Sequence, residues 1–192
     1  MKKSILRNFV VVALLLGLLF AAMPTQQAQA AADTSWYDSN LDSFTLTTVD
    51  QLEGLDELLN GGTTFAGKTI LLGTDINLYG QSFFPLGSYA NPFKGTFDGD
   101  NYKLSNLSLT QTTNYVGFFA SVVGGSVKNL KIDNFNIKGP QFVGGVAGQI
   151  FTADFDNIHV SNSTIECDHF GGGVTGYLYG SARNSSARLC YW

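Results

Sequence analysis

The sequence predicts an all-β protein: a right-handed parallel β-helix with a short N-terminal capping helix. Composition and an internal repeat support this fold class. Of the 192 residues, 22 are glycine, 13% are aromatic and only 14% are charged, which favours compact β structure over a coiled coil or a disordered chain. A repeat with a period of about 28 then indicates how the strands are arranged.

Asparagine recurs at one position of a short apolar motif. The motif occurs four times, at 104–109, 127–132, 155–160 and 182–187, and the last three copies are about one period apart. Asparagine tolerates left-handed backbone, and its amide can pair with an equivalent amide one coil away. We therefore predict a structural ladder formed by Asn106, Asn129, Asn157 and Asn184.

Two further series share this period. An aromatic residue opens a glycine-rich motif at Tyr115, Phe142 and Phe170, and the segment 134–137 matches the segment 162–165 one period later. Periods of this length indicate a solenoid in which each repeat is one coil. Short apolar runs between Gly and Asn indicate strands, and the crossover rule makes the β-helix right-handed. A β-sandwich would not keep this register.

Residues 1–30 have the three parts of a secretory signal peptide. Lys2, Lys3 and Arg7 precede an apolar run over 9–22, which is shorter than the about 20 residues of a membrane-spanning helix. We predict cleavage after Ala30, a secreted or cell-surface location and no membrane span in the mature protein. Cleavage would remove three basic residues and no acidic ones, taking the net charge from −4 to −7. Such an acidic chain argues against nucleic acid as a partner.

Residues 31–62 are predicted to form a strand and a capping helix, and residues 63–192 the coils of the β-helix. The strand is expected at 44–49 and the helix at 50–60. A solenoid exposes an apolar end that a terminal element must cover, and this helix has an apolar side suited to that role. That side consists of Val49, Leu52, Leu55, Leu58 and Leu59.

The start of this helix allows two capping boxes. In one, Thr48 pairs with Gln51; in the other, Asp50 pairs with Glu53. The glycine pair at 61–62 is expected to end the helix.

The last coil is expected to be incomplete. Ala182 and Ala187 stand where earlier coils have larger apolar residues, and no capping pattern follows them. Two interpretations remain: the apolar residues at 189–192 cover the open end, or further domains follow Trp192. We favour the second.

Three glycine-rich or acidic motifs resemble chemical sites. Residues 62–69 fit a P-loop pattern, but a helix is expected before them and a strand after them, the reverse of the P-loop order. Residues 171–176 fit a dinucleotide fingerprint without a later acidic partner. Residues 98–101 resemble part of a calcium loop but lack its later ligands, so a tight turn is favoured.

Paired carboxylates at Asp154 and Asp156 are compatible with glycoside hydrolysis or calcium binding. The repeat, however, places Ser126 and Lys128 opposite them one coil earlier, so no acidic column forms. His159 is expected to face outward as a surface residue. No catalytic, cofactor-binding or metal-binding residue is predicted, no cofactor is implied, and the chain is expected not to be an enzyme.

Export would permit a disulfide between Cys167 and Cys190, but the repeat does not place them at equivalent positions. We favour two unpaired side chains. A group of aromatic residues suggests stacking on sugars, although most of its members are expected in the core or the cap. These residues are Trp36, Tyr37, Tyr79, Phe83, Phe84 and Tyr89.

Several segments together resemble bacterial GLUG-motif surface proteins. Residues 84–87 (Phe-Pro-Leu-Gly), 92–99 and 102–107 resemble the opening of that family, with Leu86 where isoleucine is usual. Residues 142–148 and 170–176 are similar to its GLUG segments. The resemblance implies an exported β-helical module for adhesion or presentation of an unknown host or matrix ligand, protein or glycan. Alternatives are an accessory region of a secreted immunoglobulin A peptidase-like protein and a β-helical carbohydrate-active protein.

Overall fold

A computed structural model describes residues 31–189. The predicted signal peptide, its cleavage site at Ala30, and Cys190, Tyr191 and Trp192 lie outside the described residues. In chain order the elements are β1 (Ser43–Leu46), α1 (Val49–Asn60), β2 (Thr69–Leu72), β3 (Ile76–Asn77), β4 (Thr96–Asp98), β5 (Lys103–Ser105), β6 (Ser108–Thr110), β7 (Phe119–Val123), β8 (Ser126–Asp133), β9 (Asn136–Gly144), β10 (Ala147–Gly172), β11 (Thr175–Arg183) and β12 (Ser186–Leu189).

The described strands form a parallel β-helix of about five turns, as the sequence predicts. All named strand pairs within residues 31–189 are parallel. The longest ladder runs from β1 through β2, β4, β8 and β10 to β11. Its inward positions form one column, which consists of Phe44, Ile70, Phe97, Val127, Phe155 and Ala182.

Three other ladders complete the walls of the coils. One joins β3, β5, β8, β10 and β12, another joins β6, β9 and β10, and the third joins β7, β10 and β11. The long strand β10 takes part in all of them because it follows the chain around the corners of one coil. The match of 134–137 to 162–165 is confirmed, since Ile137 and Ile165 are register partners.

The core is a continuous apolar cluster that fills the centre of the coils. Buried side chains alternate with partly or fully exposed ones along the short strands, as in β4 and β6, so each strand contributes one apolar face. Phenylalanine supplies much of the buried volume, because its ring is one of the largest apolar side chains. The fully buried phenylalanines are Phe65, Phe93, Phe97, Phe118, Phe119, Phe135 and Phe155.

Helix α1 lies in the first coil, between β1 and β2. Leu52, Leu55 and Leu59 are buried in the core cluster, and Val49 and Leu58 pack against it, so the predicted apolar side is confirmed. Strand β1 is itself the first rung of the longest ladder. The helix and the coils therefore share one core.

The start of α1 shows which capping box forms. The Thr48 hydroxyl accepts a hydrogen bond from the Gln51 backbone N–H at 3.2 Å. The Gln51 side chain in turn accepts from the Thr47 N–H at 2.7 Å. This arrangement is a capping box displaced by one residue. It satisfies the Gln51 N–H, which the helix start leaves unpaired, and also the N–H of Thr47, just before the N-cap.

The end of α1 is a Schellman motif. The N–H of Thr63 bonds to the carbonyl of Leu58, and the N–H of Gly62 bonds to the carbonyl of Leu59, both at 2.9 Å. Gly62 has a φ of +97°, a left-handed conformation that glycine adopts without a Cβ penalty. The predicted helix stop at the glycine pair is confirmed.

The last described coil leaves apolar side chains accessible. Leu178 is the register partner of the buried Ile150, yet it is 42% exposed. Ala182 and Ala187 occupy inward positions of the two long ladders and are also exposed. The small side chains noted in the sequence thus lie in the last described coil, where inward positions are exposed.

A buried carboxyl group gives α1 a dependence on pH. Glu53 is buried, and its Oε1 atom has no hydrogen-bond partner. Burial, followed by the charges of Asp56 and Asp50, raises the pKa of Glu53 to about 7. The folded protein therefore holds this proton more tightly than the unfolded chain does. The contribution of Glu53 to stability is most favourable at low pH and is lost as pH rises towards 7.

We expect Glu53→Gln to remove this dependence. Because glutamine stays neutral, the variant should be more stable than the wild type at pH 8 and similar to it at pH 4.5. Urea unfolding at both pH values measures the difference. Glu57→Gln, at an exposed position of the same helix, is the matched control and should not change the slope with pH. Equal slopes for wild type and Glu53→Gln would contradict the assignment.

Candidate binding surface

An asparagine column marks one corner of the coils. The Asn157 amide donates to the side-chain oxygen of Asn129 at 3.0 Å and lies 3.5 Å from that of Asn101. The Asn184 amide donates to Asp156 at 2.9 Å. Asn101, Asn129, Asn157 and Asn184 all have left-handed backbone, with φ between +48° and +64°. Each asparagine therefore turns the chain and also binds its neighbouring coil.

The structure corrects the predicted position of Asn106. Asn106 belongs to a second column, where its amide donates to Asn77 and its oxygen accepts from Asn134, at 2.8 and 2.7 Å. The equivalent of Asn129 one coil earlier is Asn101. The sequence separation between Asn106 and Asn129 is shorter than one coil, because the same motif occurs at two corners. Asn106 thus supports a different turn.

A column of stacked aromatic rings runs along the flank of the coils. Tyr89, Tyr115, Phe142 and Phe170 stack in succession, with ring centroids 5.0, 5.0 and 5.2 Å apart. These distances are close to the spacing of paired strands, so each coil adds one ring. The two ends of the column are the most accessible, with Tyr89 64% and Phe170 60% exposed.

Three of these rings stand on strained backbone. The φ angles of Tyr115, Phe142 and Phe170 are +66°, +55° and +57°, a region that bulky side chains rarely occupy. A Cβ atom at Gly148 would collide with the backbone of Tyr115, and one at Gly176 would collide with that of Phe142. Glycine in the following coil therefore lets the aromatic corners approach closely enough to stack.

A second pair of rings faces this column. Phe151 and Tyr179 stack with centroids 5.0 Å apart, two strand positions beyond Gln149 and Tyr177. The Tyr177 ring stands edge-on to Phe142 at 5.8 Å. Between the column and this pair lies a shallow groove of about 190 Å³, which we call the aromatic groove. It is lined by Tyr89, Tyr115, Phe142, Gln149, Phe151 and Tyr177.

The groove continues towards the end of α1. A second depression of about 440 Å³ shares Tyr89 and Tyr115 with it and reaches Asp56 and Asn60. Burial raises the pKa of Asp56, against the opposing effect of a 2.7 Å hydrogen bond from the Gly87 N–H. Asp56 is thus partly sheltered and fixes the loop that carries Tyr89.

The aromatic residues singled out in the sequence divide between core and surface. Phe83 is buried and stacks on Phe118, whereas its neighbour Phe84 is exposed. Tyr79 and Tyr89 are also exposed. Half of the group therefore lies at the surface, and the expectation that most of it lies in the core or the cap is wrong. In the sequence, the three later rings of the column indicate only the register of the repeat. Their regular spacing along the chain, which begins at Tyr89, was the signal for a column.

The P-loop-like segment has a structural role. The Lys68 ammonium donates to the carbonyls of Ser39 and Leu41 and lies 3.8 Å from a carboxylate oxygen of Asp42. Strand β2 begins at the next residue, as expected. The lysine holds the N-terminal segment against the first coil.

The acidic motifs also resolve into local structure. Asp98 accepts from the Asp100 N–H and the Asn129 amide, both at 3.0 Å, and lies 3.2 Å from the Lys128 ammonium. Partial burial acts to raise its pKa, but these partners outweigh burial and the pKa is lowered. The predicted turn is confirmed, since Asp100 and Asn101 both have positive φ.

The paired carboxylates lie where the repeat predicts. Asp154 pairs in register with Ser126, and Asp156 with Lys128, so no acidic column builds up. His159 is exposed and contacts Ser186 and Asn157. Within residues 31–189, no three His, Cys, Asp or Glu side chains are arranged to hold a metal ion.

Cys167 is half-buried on β10, opposite Gly139. Its pairing with Cys190 falls outside the described residues. Burial and the charge of Asp168 raise the pKa of the Cys167 thiol, which favours its protonated form at neutral pH.

The fold and this flank define a parallel β-solenoid with an exposed aromatic face. The chain is 32% identical over 117 residues to halomucin from Haloquadratum walsbyi, a match covering 53% of this chain and 1% of halomucin. It is 25% identical over 157 residues to an Evansella cellulosilytica protein whose name describes a Gly-rich membrane protein, covering 74% of this chain and 18% of that protein. No protein-family profile and no solved structure matches. No helix within residues 31–189 is long and apolar enough to cross a membrane.

Substitutions at Asn157 should separate the two roles of the asparagine column. Asn157→Gly keeps the left-handed corner but loses the amide bonds, which we expect to cost about 1 kcal/mol of unfolding free energy. Asn157→Ala loses the same bonds and also places a residue that tolerates left-handed backbone poorly at this corner, which adds about 1–2 kcal/mol. Urea unfolding measures both values. Asn136→Ala, at an exposed strand position, is the control and should cost less than about 0.5 kcal/mol. Equal losses for the Ala and Gly variants would contradict the strain argument.

Proposed function

We propose that this chain is an exported, non-catalytic β-helical module of a surface protein that presents the aromatic groove to an extracellular ligand. The observation that carries the proposal is the groove itself. Exposed aromatic side chains usually mark interaction sites when they cluster, whereas scattered ones need no explanation. Here they recur in register on successive coils.

The backbone strain supports a binding role for this flank. Left-handed corners suit asparagine, and the asparagine columns show that this chain uses asparagine at equivalent turns. Tyr115, Phe142 and Phe170 occupy such corners at a cost of order 1–3 kcal/mol each. Ring stacking between coils recovers part of this cost. Contact with a ligand would explain why these rings remain partly exposed.

Three observations support export to the cell surface. The segment 1–30 has the pattern of a signal peptide. Segments such as 142–148 and 170–176 resemble GLUG motifs of bacterial surface proteins. The names of the matched proteins describe a halomucin and a membrane protein. The chain covers only 1% and 18% of those proteins, so their whole activities are not carried over.

The location is tested by the intact mass and N-terminal sequence of the native protein from medium, cell surface and cytoplasm. We expect an extracellular species that begins at Ala31. Leu15→Arg, which interrupts the apolar run of the signal, should retain the protein inside the cell. A full-length species found only in the cytoplasm would contradict the proposal.

A further inference from the structure

We propose that the aromatic groove binds a neutral, linear glycan along the axis of the β-helix. This inference rests on the proposed function and specifies its ligand class. The charge, shape and polarity of the groove, together with the strand pairing beneath it, support this ligand class.

The described lining of the aromatic groove itself consists of five aromatic side chains and Gln149, with no ionic group among them. In the depression that extends it, the one ionic residue of the described lining is Asp56, which would repel an anion. A ligand charge placed in the groove would lose hydration without gaining an ionic partner, which is costly. The mature chain is also acidic overall, which further disfavours an anionic ligand. The groove therefore favours a neutral ligand.

The polarity of the groove suits a sugar ring. Sugar rings present apolar C–H patches surrounded by hydroxyl groups, and aromatic side chains that carry one polar tip match this pattern. Tyr89, Tyr115 and Tyr177 each supply a hydroxyl beside an apolar ring, and Gln149 supplies an amide donor and acceptor. A wholly apolar ligand fits less well, because such ligands are mostly enclosed and this groove is shallow.

The shape of the groove suits a chain rather than a compact molecule. Its walls repeat once per coil, with rings 5.0–5.2 Å apart along the column and 5.0 Å apart between Phe151 and Tyr179. The depression that shares Tyr89 and Tyr115 extends the groove towards Asn60. A linear polymer can follow this path and contact several coils at once.

An extended peptide is the less suitable occupant. Peptides that dock on sheets gain affinity from main-chain hydrogen bonds at a free strand edge. Beneath Gln149 and Phe151, β10 is already paired with β7 on one side and β11 on the other. Among the described strands, only the outer edge of β11, which carries Tyr177, lacks a partner there. Most of the groove therefore offers side chains rather than free backbone groups, which suits a glycan better than a peptide.

Affinity electrophoresis of the purified chain tests this inference. The gels contain hydroxyethyl cellulose, glucomannan or dextran as neutral polymers, and carboxymethyl cellulose as the anionic counterpart of the first. We expect retardation by at least one neutral polymer and weaker retardation by the anionic one. No retardation by any neutral polymer, or stronger binding to the anionic polymer, would overturn the proposal.

Three variants test whether the groove is the binding site. Phe151→Ser and Tyr177→Ser remove exposed rings, and Phe142→Asn removes a ring while keeping a residue that tolerates left-handed backbone. We expect each to weaken binding and the triple variant to weaken it at least tenfold. Tyr79→Ser, at a 78% exposed tyrosine outside the groove, should bind as the wild type does. Urea unfolding midpoints show whether each variant is folded.

The outcomes separate this inference from the proposed function. If a folded triple variant binds as the wild type does, the groove is not the site. If the protein is exported with cleavage after Ala30 but no neutral polymer retards it, the glycan class is wrong while the surface location stands.

Discussion

The register between successive coils is the constraint on which the rest of the structure depends. Each coil is a thin layer that cannot bury its apolar side chains alone, so it is stable only when the next coil repeats its inward positions. Left-handed corners set that repeat. At these corners Asn129 and Asn157 bind one another through their amides, and the columns of Asn106 and Asn134 do the same at another turn. A corner displaced by one residue would turn the buried column to the outside.

The aromatic groove uses the same geometry with different side chains. Where other corners carry asparagine, this one carries Tyr115, Phe142 and Phe170, and the rings stack across coils as the amides do. Stacking in this form depends on Gly148 and Gly176, which admit the neighbouring backbone. The stacked rings that hold the coils together therefore also form the exposed surface to which we assign ligand binding.

The sequence predicts the structure best where a motif is compatible with only one local structure. Helix α1, its glycine stop and the match of 134–137 to 162–165 were all predictable, because capping and strict spacing are local signals. The predicted column for Asn106 is wrong because two corners of one coil carry the same motif. The groove was not predictable, since neighbours such as Phe83 and Phe84 differ in burial only through the path of their loop.

The most direct test of this account is a disulfide scan of the register. In a background with Cys167 and Cys190 replaced by serine, Lys131→Cys with His159→Cys introduces a pair on adjacent strands at matched positions. Their Cα atoms should be about 4.8 Å apart, within the range for a disulfide. Lys131→Cys with Ser161→Cys is offset by two residues, at about 8 Å, and should stay reduced. We predict oxidation of the first pair only; preferential oxidation of the second would contradict the register.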